Sequence, residues 1–133
     1  MFNNKQAKDI ILNSSNFIYS IHLYKKLFGG YYYVINYKDK YEIERKARFY
    51  SEFNSKEQCL NVMSKYCALF KKHDFIMINN VVLNLNEIHD IKYDDISSTI
   101  IYTDGYDITI KSTKKQFLNL YAEALNNAEG KER

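Results

Sequence analysis

Apolar residues Ala7, Ile10 and Ile11 fall at helical spacing within residues 3–12, and Asn3 or Asn4 suits the cap, so the first expected element is a short N-terminal helix. Residues 16–28, NFIYSIHLYKKLF, carry two periods at once. Phe17, Tyr19, Ile21 and Leu23 alternate as in a strand, while Phe17, Ile21, Tyr24 and Phe28 fit a helix ending at Gly29-Gly30. Tyrosine, isoleucine and phenylalanine favour the pleated surface of a sheet, so a strand is expected, with helix as the alternative. Residues 31–50, YYYVINYKDKYEIERKARFY, read as a hairpin. On its second strand Tyr41, Ile43, Ala47 and Phe49 share one face, and Glu42, Glu44, Lys46 and Arg48 share the other. A three-residue loop, Lys38-Asp39-Lys40, sets Tyr37 against Tyr41 and Ile35 against Ile43, whereas a two-residue loop would mix apolar with charged faces. The outer face then shows Tyr32, Val34, Asn36, Glu42, Glu44, Lys46 and Arg48. Arg45 is left on the inner face and needs a partner or the sheet edge.

Two amphipathic helices are expected, over 55–71 and 113–126. Ser55 with Gln58 three residues on forms a capping-box pattern, and Cys59, Val62, Met63, Tyr66, Cys67 and Phe70 recur at helical spacing, ahead of Lys71 and Lys72 at the helix end. The last helix starts near Thr113 with Phe117, Leu120, Tyr121, Ala124 and Leu125 as its stripe, and the tail EGKER is expected to fray. Between them lie a hairpin about Asn79-Asn80, a strand at 88–93, and a hairpin, STIIYTDGYDITI, whose Asp104-Gly105 suits a two-residue type I′ turn. KEQCLNVMSKYC (56–67) echoes KKQFLNLYAEAL (114–125), each following a strand and opening a helix. The expected fold is a single α+β domain over 1–133, an antiparallel sheet built from β-hairpins with the two amphipathic helices and the short N-terminal helix.

Composition narrows the class. With 46% hydrophobic and 26% charged residues, a chain of 133 residues has enough apolar surface for one core and is not of disordered type. No apolar run approaches the roughly 18 residues of a spanning helix, and MFNNKQAKDIILNSSNF lacks the apolar stretch of a signal peptide, so a cytoplasmic location without membrane contact is expected. Cys59 and Cys67 lie about 12 Å apart along one helix, too far to bridge, and read as reduced thiols. Proline and tryptophan are absent while Ile, Asn, Lys and Tyr abound. These four have AT-rich codons, which points to a low-GC bacterium, a phage or a mobile element. Charge is uneven: residues 1–72 carry 13 basic and 6 acidic side chains, residues 73–133 carry 6 basic and 10 acidic. A basic first half suits an acidic partner.

Catalytic chemistry finds little to work with. His22, His73 and His89 stand alone, no spacing with Cys59 and Cys67 matches a zinc site, and there is no G-x-S-x-G, P-loop or G-x-G-x-x-G. No metal or cofactor is expected. Glu44-Arg45-Lys46, on a strand after a helix, resembles the E-x-K step of PD-(D/E)xK nucleases. That resemblance implies a metal held by Asp39 and Glu44 with Lys46 beside the attacking water, although Asp39 stands only five residues before Glu44. The acidic residues Glu87, Asp90, Asp94, Asp95, Asp104 and Asp107 lack EF-hand spacing.

Two further likenesses point to DNA. YYYVINYKDKYEIERKARFYSEFNSKEQCLNVM resembles the N-terminal arm-binding domain of tyrosine integrases, a three-stranded sheet with a helix whose sheet faces DNA; the catalytic domain of that family has no counterpart here. FIMINNVVLNLNEIHDI (75–91) is similar to a stretch of LytTR-type DNA-binding domains, with Asn79-Asn80 where that family carries its basic contact pair. The expectation that follows is a small non-enzymatic binding protein, an accessory or regulatory factor contacting nucleic acid through Lys25, Lys26, Tyr32, Lys46 and Arg48. Lys38 and Lys40 would extend the basic surface if strand 16–28 pairs beside the hairpin, with Glu42 and Glu44 weakening it near the turn. The alternatives are a phage-type inhibitor that meets a host nucleic-acid-handling or defence protein through Asp90, Asp94 and Asp95, and the metal-dependent nuclease of Glu44 and Lys46.

Overall fold

A computed structural model describes residues 4–13, 15–69 and 75–131. In chain order the elements are α1 (Asn4–Leu12), β1 (Phe17–Lys25), β2 (Tyr31–Lys38), β3 (Glu44–Phe53), α2 (Lys56–Leu69), β4 (Phe75–Ile78), β5 (Val81–Asn84), β6 (Ile88–Tyr93), β7 (Ser98–Tyr102), β8 (Asp107–Ile110) and α3 (Lys114–Lys131). The fold is α+β, as expected, but its strands form two sheets rather than one. Five strands are ordered β3-β2-β1-β5-β4 and three are ordered β6-β7-β8, all antiparallel. The strand reading of 16–28 holds. Asn3, the side chain of Asn4, Phe70, Lys71, Lys72 and His73 lie outside what the structure describes.

Helices α1 and α2 cover one face of the larger sheet. Ala7 and Ile11 of α1, four residues apart, and Cys59, Met63 and Tyr66 of α2 pack with Ile18, Ile21, Tyr33, Ile35, Ala47, Phe49 and Val82 in a first core. Helix α2 starts where its cap dictates: the Gln58 N–H donates to Ser55 Oγ at 3.2 Å, and Gln58 Oε1 accepts from the Asn54 N–H at 3.1 Å. Within this core Tyr33 stacks on Phe49, and its hydroxyl meets that of Tyr66 at 2.6 Å, tying β2 to α2.

The other face of the larger sheet meets β6-β7-β8 and α3. Tyr19, Ile76, Ile78 and Leu83 pack with Ile100, Tyr102, Ile108, Ile110 and Phe117 in a second core. Helix α3 begins with a reciprocal capping box, the Gln116 N–H donating to Thr113 Oγ1 and the Thr113 N–H to Gln116 Oε1. Phe117 sits at the helix position that Cys59 holds in α2, and both are fully buried. The sequence echo is therefore a structural one: β1-β2-β3-α2 and β6-β7-β8-α3 are each a three-stranded meander leading into a capped helix. Helix α3 runs to Lys131, past the expected end near Asn126. Residues 127–131 contain no proline, and Ala128 and Glu129 are good helix formers that carry it on; Gly130, a poor helix former, falls next to its end.

Strand β1 serves both cores through a bulge. The register passes from Ile18↔Tyr37 to Ser20↔Asn36, so Tyr19 is an extra residue. Phe17, Tyr19, Ser20, His22 and Tyr24 share the face of the second core, while Ile18, Ile21 and Leu23 turn to the first. This corrects the expectation that Phe17, Tyr19, Ile21 and Leu23 share one face. Two side chains serve the backbone carbonyls of the bulge: Asn84 Nδ2 donates to Ile18 O at 2.7 Å, and the Tyr102 hydroxyl lies 3.2 Å from Tyr19 O and 2.6 Å from Asn84 O.

Both long hairpins turn differently from expectation. Between β2 and β3 the loop has three residues, but it is Lys40-Tyr41-Glu42, with Lys38 opposite Glu44 and Tyr37 opposite Arg45. Asp39 sets it. Its Oδ1 accepts the N–H groups of Tyr41 and Ile43, and Glu42 takes φ +62°. Each pairing is displaced by four residues, an even number, so inner and outer faces stay as expected. Tyr41 and Ile43, however, become exposed loop residues. Between β7 and β8 the connection is Thr103-Asp104-Gly105, not the two-residue turn. The Tyr102 N–H donates to Tyr106 O, and Gly105 takes φ +90°. This register sets Ile100 against Ile108 and Ser98 against Ile110, all buried. A two-residue turn would oppose Ile108 to Ile101 and split the core face.

Candidate nucleic-acid interface

The second layer covers β4, β5 and the start of β1, and leaves part of the same face of β1-β2-β3 open. Residues opposite one another in an antiparallel ladder share a face. Three rows cross it: Ser20, Asn36 and Lys46; His22, Val34 and Arg48; Tyr24 and Tyr32. Val34 and Asn36 are buried at its floor, while Tyr24, Lys46 and Arg48 are exposed.

The aromatic residues of this face are ordered against one another. Tyr24 stacks on Tyr32 with ring centroids 5.4 Å apart and planes 24° apart, and His22 lies nearly parallel to Tyr24 at 6.1 Å. Partial burial raises the Tyr24 phenol above its usual range, the Tyr32 phenol adds to this, and the Arg48 charge opposes it. Burial and the Lys46 ammonium push His22 down to about 4, so its ring is neutral at neutral pH. Its Nε2 and the Asn36 Oδ1 are buried with no hydrogen-bond partner, while Asn36 Nδ2 donates to Ser20 Oγ at 3.0 Å. The face thus offers flat rings with a π-surface and two exposed cationic side chains above a buried floor.

Of the five expected nucleic-acid residues, Tyr32, Lys46 and Arg48 come together here. Lys26 lies in the β1–β2 turn at the edge of the face, its N–H donating to Gly30 O. Lys25 is opposite Tyr31, on the face that bears the first core. Lys38 does not extend the basic surface, because its ammonium pairs with Asp104 at 3.1 Å. The same carboxylate accepts the Tyr19 hydroxyl. Burial pulls Asp104 upward, but Tyr19, the Tyr106 N–H and Lys38 outweigh it and hold the group below the usual carboxylate value. Lys40 sits over the Tyr41 ring in the loop. His22 and Tyr24 were not among the expected site residues. Their even numbering sets them on the face opposite Ile21 and Leu23, and so beside Tyr32; the bulge instead carries Phe17 and Tyr19 onto this same face.

The other candidates are dispersed. Arg45 has the partner it needed: its Nε donates to Asp39 Oδ2 at 2.8 Å, and that bond, with two backbone donors, lowers Asp39. Asp39 is thereby engaged with the side chain on the face opposite Glu44. Among the described residues no group of three or more His, Cys, Asp or Glu is gathered closely enough to hold a metal ion. Asp90 is exposed on β6 and accepts the Ile91 N–H. Asp94 shapes the β6–β7 turn, accepting the N–H groups of Ile96 and Ser97 and the Ser97 hydroxyl, which lowers it. Asp95 and Ile96 are exposed beside it. No described helix is long and apolar enough to cross a membrane.

Set against protein-family models, curated proteins and solved structures, the chain matches none of them. The likenesses to integrase arm-binding, LytTR-type and PD-(D/E)xK domains therefore assign no family.

Proposed function

We propose that this protein is a non-catalytic nucleic-acid-binding factor that engages unpaired nucleotides on the open face of β1-β2-β3. The observation that carries the reading is the Tyr24–Tyr32 stack on one sheet face with the exposed Lys46 and Arg48. Bases stack on aromatic rings whatever their sequence, and cations alongside track the phosphates. The charge balance agrees, since the basic excess lies in the half of the chain that builds this face. Glu44, at the far end of the face, lies towards Lys38 and away from the stack.

Fluorescence anisotropy with labelled single-stranded and duplex oligonucleotides, titrated from low to physiological salt with and without magnesium, tests it. We expect micromolar or tighter binding to single strands and a negative salt slope. Replacing both Lys46 and Arg48 by Ala is expected to flatten that slope by about 1.4, at roughly 0.7 per phosphate contact on single strands. Absence of binding at physiological salt overturns the reading, and magnesium-dependent release of label overturns its non-catalytic part.

A second reading, contact with a host protein, draws on the β6–β7 turn, where exposed Ile96 stands beside Asp94 and Asp95. Asp95→Asn with Ile96→Ser would abolish capture of such a partner and leave oligonucleotide binding unchanged.

A further inference from the structure

The β1–β2 turn presents an apolar tip. Leu27 is 89% and Phe28 97% exposed. A lone exposed leucine calls for no explanation, but two adjacent large apolar side chains held almost wholly in water at the end of a hairpin are a different matter. The backbone holds them out. The Lys26 N–H donates to Gly30 O at 2.9 Å and the Gly29 N–H to Lys26 O at 3.3 Å, closing the turn beneath them. Gly29 and Gly30 take φ +99° and +83°, a region other residues rarely adopt. A Cβ on Gly30 would stand 3.3 Å from Phe53 O, so the base of the tip is seated against the end of β3.

The tip continues the face already described. It starts one row beyond Tyr24 and Tyr32, after the pair Lys25 and Tyr31. Residues 24–34 include Lys25 and Lys26 and no carboxylate, so within the hairpin the charge next to the apolar pair is positive. Phenylalanine and leucine next to cations, at the edge of a stacking surface, are the kind of side chains that enter between base steps and unstack them. A membrane surface would also accept lysines, an exposed phenylalanine and interfacial tyrosines, but it does not call for two rings stacked on one another, which suit the flat face of a base.

Resting on the nucleic-acid reading above, we infer that Leu27 and Phe28 form a wedge that inserts at the boundary between paired and unpaired nucleotides. The protein then prefers a single-strand–duplex junction to either form alone: the unpaired strand lies on Tyr24 and Tyr32, and the wedge caps the first base pair.

The test compares three DNA substrates, a single strand, a blunt duplex and a fork with 2-aminopurine at its junction. The proteins are wild type, the Leu27→Ala/Phe28→Ala double variant, Phe28→Trp and the Lys46→Ala/Arg48→Ala pair. Both wedge residues are solvent-exposed, so far-ultraviolet circular dichroism should match wild type in their variants. We expect wild type to bind the fork most tightly and to change the 2-aminopurine fluorescence. The double variant should bind the fork about tenfold more weakly, the scale of one lost stacking contact, lose the fluorescence change and keep its single-strand affinity. Phe28→Trp should retain both signals. If wild type binds and the Lys46/Arg48 pair weakens that binding, but the double variant binds the fork as wild type does, the wedge is refuted and the face reading stands. If wild type binds no substrate, both fall. If it instead binds phosphatidylserine vesicles in a Phe28-dependent manner, the tip serves a membrane surface and the inference is overturned.

Discussion

Replacing Tyr102 by Phe removes one oxygen atom from the junction between the two sheets. The hydroxyl lies 2.6 Å from Asn84 O on β5 and 3.2 Å from Tyr19 O in the β1 bulge, and the residue is fully buried. Phenylalanine keeps the ring and its edge-on contact with Tyr19 but leaves both carbonyls without this donor. A buried acceptor stripped of its partner costs about 1–3 kcal/mol. With an unfolding entropy of about 2.1 cal/mol/K per residue, a chain of this length loses near 7 °C in Tm for about 2 kcal/mol. Differential scanning calorimetry and urea titration measure both quantities. A second readout comes from pH. Burial raises the Tyr102 phenol above its ordinary value of 10.0. The native state thus keeps a proton that the unfolded chain releases near pH 10. The contribution is fully present below pH 10 and is lost as pH rises further. Tyr102→Phe should therefore reduce the alkaline slope of stability by about 1.4 kcal/mol per pH unit. A Tm within about 2 °C of wild type, with an unchanged alkaline slope, would show that the hydroxyl does not join the sheets.

His22 acts at the other end of the pH scale. Its folded value of about 4 lies below the ordinary 6.5, so its contribution is complete above pH 6.5 and lost as pH falls toward 4; at pH 4.5 the loss is about 2–3 kcal/mol. Urea midpoints at pH 7 and 4.5 should differ by that amount in wild type and much less in His22→Gln, and matching differences would sink the argument. The Lys38–Asp104 pair links the larger sheet to the β7–β8 hairpin at a partly exposed site. A double-mutant cycle of Lys38→Ala and Asp104→Ala should give a coupling of about 0.5–1 kcal/mol that shrinks in high salt, and a zero coupling would make the pair incidental.

Among the described residues hydrophobic patterning located each strand and helix, and it did best where a side chain punctuates the backbone. Ser55 and Thr113 mark the starts of α2 and α3 because each faces a glutamine three residues on, a signal written wholly in local chemistry. Turn positions were less legible. Asp39 folds its carboxylate onto two backbone donors and moves the first loop by two residues, a side-chain choice that hydropathy does not record. The second hairpin is one residue longer in its loop because Ile108 must oppose Ile100, and that requirement comes from the second core rather than from Asp104-Gly105. At the candidate interface, Tyr32, Lys46 and Arg48 could be placed together from alternation alone. His22 and Tyr24 follow from the same alternation, opposite Ile21 and Leu23; what it could not show is that Phe17 and Tyr19 join their face, because the alternation of β1 changes phase at a bulge that tertiary partners, Asn84 and Tyr102, hold in place.

The bulge also sets where the central strand can change length. Ile18 and Ser20 already face their proper sides across Tyr19. A chain lacking Tyr19 would join them in plain alternation and keep all other side chains of β1 on their present faces, at the cost of the tyrosine's own packing. Losing one residue between Ile21 and Tyr24 would instead turn the remainder of the strand over and send Tyr24 among the helices. A one-residue deletion thus preserves the faces of β1 at Tyr19 and inverts them a few residues away, so length variation in this strand would act as a switch on the aromatic face where point substitution would only tune it.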